Sequence, residues 1–273
     1  MVKPKKSIDW IKVRRIGGWS LLIGVFFASL GFTDTRMRHL PCTGVEAAVL
    51  DTFGHSFIDA AGIQQLVKDK YGDVTKKSLG AINMALLEKI ILNNPFVADA
   101  RVFSTIDGKL HIEVYQRDPL VRVINFNNQS FYIDDNGVFM PVSEKYTARV
   151  PVANGYIFNR EAERKVQIYT MEELRDTTIN LSKVFEVFQV AKYIRQHQFW
   201  DAQIEQIYVT AKGDLELVPR VGDHVIVLGD GKELDDKFQK LYLFYKEGLS
   251  KTGWNKYSVI NLKYHHQVVC TKK

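Results

Sequence analysis

Residues 97–119 read VADARVFSTIDGKLHIEVYQRDP. Two apolar-rich runs, Val97–Thr105 and Leu110–Val114, flank Ile106-Asp107-Gly108-Lys109. In the second run Leu110, Ile112 and Val114 alternate with His111, Glu113 and Tyr115, the period of a strand with one buried face. Asp-Gly is a strong signal for a two-residue hairpin turn, because both central positions of such a turn take positive φ. The stretch predicts an antiparallel hairpin. Gln116-Arg117-Asp118-Pro119 breaks the pattern and predicts a domain boundary, since a proline biases the residue before it away from helix.

Before the hairpin lie two helical patterns. Asp59 is a candidate N-cap for AAGIQQLVKDKY, in which Ile63, Leu66, Val67 and Tyr71 share a face. Gly72-Asp73 ends that helix. A second helix is predicted from about Leu79, with Leu79, Ile82, Leu86 and Ile90 as its stripe and Asn93-Asn94-Pro95 as its stop. A short strand, Val45–Asp51, precedes both. Residues 45–117 therefore read strand, helix, helix, strand, strand.

Beyond the boundary the chain is richer in strands. Leu120–Phe126, Ser130–Ile133 and Val138–Met140 are separated by the turns Asn127-Asn128-Gln129 and Asp134-Asp135-Asn136-Gly137. Thr170 and Glu173 match a capping box ahead of the stripe Leu181, Val184, Phe185, Phe188, Ala191 and Ile194. Strands return at Ile204–Ala211, Leu215–Val218 and Val225–Leu228. A further helix carries Leu234, Phe238, Leu241, Tyr242 and Tyr245, with Gly248 as its expected stop. Ser258–Cys270 is the last strand region. Residues 118–273 predict a mixed β-rich domain with two helices, and the whole chain an α+β fold.

At the other end, residues 16–33 read IGGWSLLIGVFFASLGFT, eighteen residues without a charge. As a helix they rise about 27 Å, close to the roughly 30 Å of a bilayer's hydrocarbon core. Lys3, Lys5, Lys6, Lys12, Arg14 and Arg15 precede them against Asp9 alone, which keeps residues 1–15 in the cytoplasm. The competing reading is a cleaved leader, but no clean A-x-A site follows and the apolar run exceeds a usual leader core. The expectation is a retained transmembrane helix at 16–33, a linker at 34–44 and an exported remainder.

Charge supports this division. The formal net charge is +6, from 37 Lys and Arg against 31 Asp and Glu. Residues 1–38 hold eight basic and two acidic residues, so residues 39–273 hold 29 of each. A neutral folded part excludes the basic face that nucleic-acid binding needs. Two cysteines, Cys42 and Cys270, do not make a disulfide framework.

Catalytic motifs are missing. There is no H-E-x-x-H, G-x-S-x-G, Walker A or C-x-x-C pattern. Gly229-Asp230-Gly231 is a fragment of a glycine loop and reads as a turn. His265-His266, if on a strand, point to opposite faces and do not chelate one ion together. No enzyme, cofactor or metal is expected.

The order of elements resembles the FtsQ/DivIB family of bacterial cell-division proteins. Asn94-Pro95-Phe96-Val97 is similar to that family's Pro-aromatic-Val approach to the second strand of its POTRA domain. Leu110–Val114 with Arg117-Asp118-Pro119 resembles the strand and exit that follow. Tyr132–Phe139 resembles an "ID-x-x-G-x-x-F" hairpin, Val150–Gly155 a "P-x-x-x-G" turn, and Asn261–Tyr264 through Gln267–Val269 a closing "D-L-R-Y…Q-V-V". Gln116, Asn261 and Lys263 depart from the usual Glu, Asp and Arg, and Arg122 stands where a small residue is ordinary.

The resemblance implies a POTRA domain at 45–117, an FtsQ-like β domain at 118–273, an inner-membrane anchor with the C-terminal domains in the periplasm, and a non-catalytic scaffold at the division site. It implies a docking edge on the final strand for an FtsB-like segment paired with an FtsL-like protein. That edge is expected at Tyr264, His265, His266, Gln267, Val268, Val269, Cys270 and Thr271, with Tyr264, His266, Val268 and Cys270 on one face. The bland alternative is an ordinary edge blunted by Lys272 and Lys273. The resemblance also implies recruitment of an FtsK-like partner through the POTRA domain, without naming residues. The alternative functions are a POTRA-bearing component of envelope protein transport or outer-membrane assembly, and an anchored envelope enzyme.

Overall fold

The computed structural model describes residues 15, 17–26, 39–50, 54, 56–125, 128–158 and 182–273. They divide into two compact units, one from Met1–Leu50, Ile58–Asn94 and Asp99–Tyr115, the other from Asp51–Phe57, Pro95–Ala98 and Gln116–Lys273.

The first unit holds a three-stranded sheet in the order β1-β3-β2. Its strands are β1 (Gly44–Leu50), β2 (Val97–Ser104) and β3 (Lys109–Gln116). β1 runs parallel to β3, with Val45 opposite Leu110 and Ala47 opposite Ile112. Two helices, α1 (Ala60–Lys70) and α2 (Met84–Leu92), complete the strand-helix-helix-strand-strand order. Asp59 caps α1 by accepting from the Gly62 N–H at 2.7 Å. Ile63, Val67, Leu87, Ile91, Leu110, Ile112 and Val114 are buried in this unit.

Two expectations for this unit need correction. The predicted second helix is two pieces, a 3-10 turn at Leu79–Ala81 and α2, capped by the Asn83 side chain on the Leu86 N–H. The interruption resets the helical phase, so Leu87 and Ile91 face the core while Leu86 is 44% exposed. The hairpin turn is not a two-residue turn. Thr105 N–H donates to Lys109 and Gly108 N–H to Thr105, and of the loop residues only Gly108 has positive φ. This is a three-residue loop ending in a left-handed residue.

The same hydrogen-bond pattern occurs at Asn125–Gln129, Asp134–Val138 and Thr210–Asp214, with Asn128, Gly137 and Gly213 as the left-handed residues. In these three the first residue's side chain also accepts from the last residue's N–H. In these turns a short polar side chain satisfies a backbone N–H at the end of the hairpin.

The second unit is a nine-stranded sheet in the order β12-β11-β10-β9-β8-β7-β4-β5-β6. The strands are β4 (Pro119–Ile124), β5 (Ser130–Asp134), β6 (Phe139–Pro141), β7 (Val152–Gly155), β8 (Ile204–Val209), β9 (Leu215–Pro219), β10 (Val225–Gly229), β11 (Tyr257–Asn261) and β12 (Val269–Lys272). Three pairs are parallel: β4 with β7, β7 with β8, and β10 with β11. Each parallel pair needs a crossover. Helix α3 (Ser182–Gln196), the short α4 (Gln198–Gln203) and α5 (Leu234–Leu243) lie in the connections. They bury Val184, Val187, Ala191, Ile194, Trp200, Phe238 and Leu241 in one cluster with the strands' inward residues.

Helix α4 is absent from the sequence reading, and α5 outruns its expected stop. It continues through Phe244–Leu249 and Ser250–Thr252 to Gly253, whose φ of 91° ends the helix. Gly248 sits inside that run. The Thr170–Glu173 capping box lies outside the described residues.

The predicted span at 16–33 is described only at 17–26, which is helical. Trp19, Leu21, Leu22, Ile23, Val25 and Phe26 there are each more than half exposed. Among the described residues, no helix is long and apolar enough to cross a membrane. The last part of the predicted linker is built into the first unit: Cys42 N–H donates to Lys77, Thr43 N–H to Gly108, and Pro41 bridges Ser78. Cys42 and Cys270 are both free thiols.

Gly155 shows how tightly one crossover is held. Its φ is +91°, and a Cβ there would stand 2.2 Å from the Val209 carbonyl oxygen. Gly155→Ala adds a backbone strain of about 1–3 kcal/mol to that clash. A fall in chemical-denaturation midpoint beyond that of Gly253→Ala, where the added Cβ meets nothing within 4 Å, is the expected result.

Candidate functional site

β12 is one edge of the nine-stranded sheet and β6 the other. β6 has three residues and ends in Pro141, which has no N–H to offer. β12 is four residues long and pairs antiparallel with β11, Asn261 opposite Val269, Ile260 opposite Cys270 and Val259 opposite Thr271.

The direction of its backbone groups follows from three hydrogen bonds. Lys273 N–H donates to the Lys256 carbonyl, so Lys273 faces β11. The Ser258 hydroxyl donates to the Thr271 carbonyl, so Thr271 does too. Leu262 N–H donates to Val227 on β10, which fixes Asn261 and Val259 as the β11 residues facing β12. Backbone groups alternate along a strand. Val269 and Thr271 are therefore committed to β11, while Cys270 and Lys272 direct their N–H and C=O outward from the sheet.

Side chains sort the other way. Cys270 packs partly against the main core, and burial pushes its thiol pKa up. Val269 is 43% exposed on the opposite face. There it joins the row Val227, Asn261, Val269, beside the row Val225, Val259, Thr271. An apolar shelf thus adjoins the free edge.

Five of the eight expected edge residues are not on the strand. Tyr264, His265, His266, Gln267 and Val268 form the connection between β11 and β12. His266 is left-handed, with φ 57°. The Tyr264 carbonyl accepts from Lys240 Nζ at 2.9 Å, and His265 Nδ1 lies 3.7 Å from Glu233 Oε2. The expected shared face of Tyr264, His266, Val268 and Cys270 does not exist, because the turn breaks the alternation. Val268 packs against the core from the loop. Val269, Cys270 and Thr271 remain on the edge, joined by Lys272. The departures at Asn261 and Lys263 keep polar roles: Asn261 Oδ1 accepts from the Lys263 N–H, and Lys263 Nζ meets Asp214 at 2.9 Å. That partner raises the Lys263 pKa.

No group of three or more His, Cys, Asp or Glu side chains that could hold a metal occurs among the described residues. Several buried polar groups are paired within the fold. Asp134 pairs with Arg117 at 2.8 Å, Lys237 pairs with Asp230, and His224 Nε2 meets the Tyr245 hydroxyl at 2.8 Å.

His224 is 1% exposed, and its Nδ1 has no partner. Burial holds its pKa below the ordinary value; Lys273 adds to that and Asp223 opposes it. As pH falls through about 6.5, the unfolded chain takes up a proton that the folded one refuses. Stability conferred by neutral His224 is complete above that pH and is lost below it. His224→Phe should flatten the fall in melting temperature between about pH 7 and pH 5; an unchanged slope would show that His224 is not its source.

The three-stranded unit with two helices and the β unit with a free edge define an α+β protein of two units. A family model described as FtsQ/DivIB, C-terminal related, matches residues 118–271, more than half of the chain, and a POTRA-like domain model matches residues 40–115. The chain belongs to the FtsQ/DivIB family of cell-division proteins. A search of curated proteins finds no match.

Proposed function

We propose that this protein is a non-catalytic scaffold of the bacterial divisome. Membership of the FtsQ/DivIB family supports a role in cell division. The observation that carries the binding reading is β12, a sheet edge with two residues' backbone groups turned outward beside an apolar shelf. An FtsB-like segment, held by an FtsL-like protein, adds as a further strand there. Main-chain bonds to Cys270 and Lys272 give affinity, and contacts at Val269 give specificity. The POTRA-like unit recruits an FtsK-like partner.

Residues 16–33 anchor the chain in the inner membrane, with residues 1–15 cytoplasmic and both units periplasmic. The apolar run and its basic flank support this orientation. The scaffold links assembly of the division complex to septal peptidoglycan synthesis. Depleting the protein in cells that carry a fluorescent fusion tests the reading. Filamentous cells, with the fusion at mid-cell beforehand, are expected. Normal division with a protein-poor outer envelope would overturn it in favour of envelope protein transport.

A further inference from the structure

The apex of the β2–β3 hairpin exposes one large apolar side chain, Ile106, beside Asp107. Ile106 is 84% exposed, more than any other large apolar side chain among the described residues. It occupies the first position of its loop, which takes most residues, so the backbone does not require isoleucine there.

The apex lies where the chain joins the first unit. Thr43 N–H donates to the Gly108 carbonyl at 2.9 Å, and the Thr43 hydroxyl reaches the Asp107 carbonyl at 3.4 Å. A Cβ on Gly108 would stand 3.1 Å from the Pro41 carbonyl oxygen. Because β1 is parallel to β3, the starts of both strands and the hairpin loop share one end of the sheet. Between Thr33, the end of the apolar run, and Pro41 lie residues 34–40. Seven residues span at most about 25 Å. If residues 16–33 cross the bilayer, the hairpin apex is held beside it.

Charge does not account for this end. Lys109 pairs with Glu46 and Lys76 with Asp73. Lys77 sits 4.2 Å over the Tyr71 ring, and Asp107 is bound by the Thr105 hydroxyl. Two lysines pair with acids, and Lys77 and Asp107 have neutral partners, which leaves the exposed Ile106 side chain as the feature that water does not satisfy.

We propose that the hairpin is a membrane-contacting tip, with Ile106 inserted in the interfacial layer of the bilayer that holds the anchor. This rests on the anchor reading. The contact is apolar, so it persists on zwitterionic lipid and in high salt. Lying at the interface requires far less apolar surface than spanning the bilayer. The tip also sets which end of the first unit faces the bilayer.

The test uses the full chain in phosphatidylcholine nanodiscs, with Cys270→Ser as background; Cys42, 3% exposed, is shielded from the label. A nitroxide is attached at Ile106→Cys, or at Asp99→Cys seven residues back along the same hairpin. Relaxation by oxygen, which partitions into lipid, is compared with relaxation by a water-soluble nickel chelate. The expected result is oxygen-dominated relaxation at 106 and chelate-dominated relaxation at 99, both unchanged by added salt. Chelate-dominated relaxation at 106 in a chain that stays with the disc overturns the tip but leaves the anchor. A chain that does not remain with the disc overturns the anchor reading and the tip with it.

Discussion

Lys272→Pro weakens capture of an FtsB/FtsL-like strand and leaves the melting temperature of the chain where it was, while Cys270→Pro weakens capture and also lowers the melting temperature, because the Cys270 side chain packs partly against the core. Both residues turn their N–H groups away from β11, so proline removes no hydrogen bond that the fold uses. It removes one donor from the partner's ladder, worth about 1 kcal/mol net, and its ring occupies the space that the added strand needs. An affinity loss of about tenfold or more follows from these together. Thr271→Pro provides the opposite control. Its N–H faces β11, so it should lower stability as well as capture, and substitutions at Val269 or at the core-packed Val268 would confuse the two effects in the same way. Co-purification from cells and calorimetry of each variant separate the cases. Undiminished capture by the Cys270→Pro, Lys272→Pro double variant would remove β12 as the docking edge.

The second large effect concerns Asp134, which is 0% exposed. Its Oδ2 accepts from Arg117 Nη1 at 2.8 Å, and its Oδ1 accepts from the N–H groups of Asn136 and Val138 at 3.0 and 2.6 Å. It closes the β5–β6 turn and ties the turn to Arg117 in the two-residue link between β3 and β4. Asp134→Ala leaves a mostly buried guanidinium without its carboxylate and frees two amides. Breaking such a pair costs about 3–5 kcal/mol. Arg117→Ala should cost less, because the two amides still hold the carboxylate and the arginine is already 19% exposed. Denaturant unfolding of both variants and of the double variant measures the coupling. Equal costs for the two single variants would show that the amide bonds contribute nothing beyond the ion pair.

The local features of this fold are written in short-range chemistry. Asp59 reads as a cap because its carboxylate lies three residues from the amide that it accepts from. The alternation of Leu110, Ile112 and Val114 reads as a half-buried strand because that face is in fact buried. The errors come from longer-range causes. Tyr264–Val268 has strand-like residues, yet Lys240 on α5 holds the Tyr264 carbonyl and His266 turns left-handed. No window of local sequence contains that lysine. The break before α2 is set by an asparagine cap inside an apolar run. Periodicity alone read across the break and placed Leu86 in the core. The neighbours β4-β7-β8 are parallel partners far apart in sequence, and strand order of that kind depends on crossovers rather than on any single motif. At the candidate site the final strand is legible by position. Which of its residues face outward becomes visible only from the bonds of Lys273, Ser258 and Leu262.

Amide hydrogen exchange, resolved to single residues along β12 in the full chain, reports strand addition at this edge residue by residue. It is measured alone and then in complex with an FtsB/FtsL-like partner. Thr271 should be protected in both states, while the amides of Cys270 and Lys272 exchange freely alone and become protected in the complex. A complex that forms without slowing exchange at Cys270 and Lys272 would contradict strand addition at this edge.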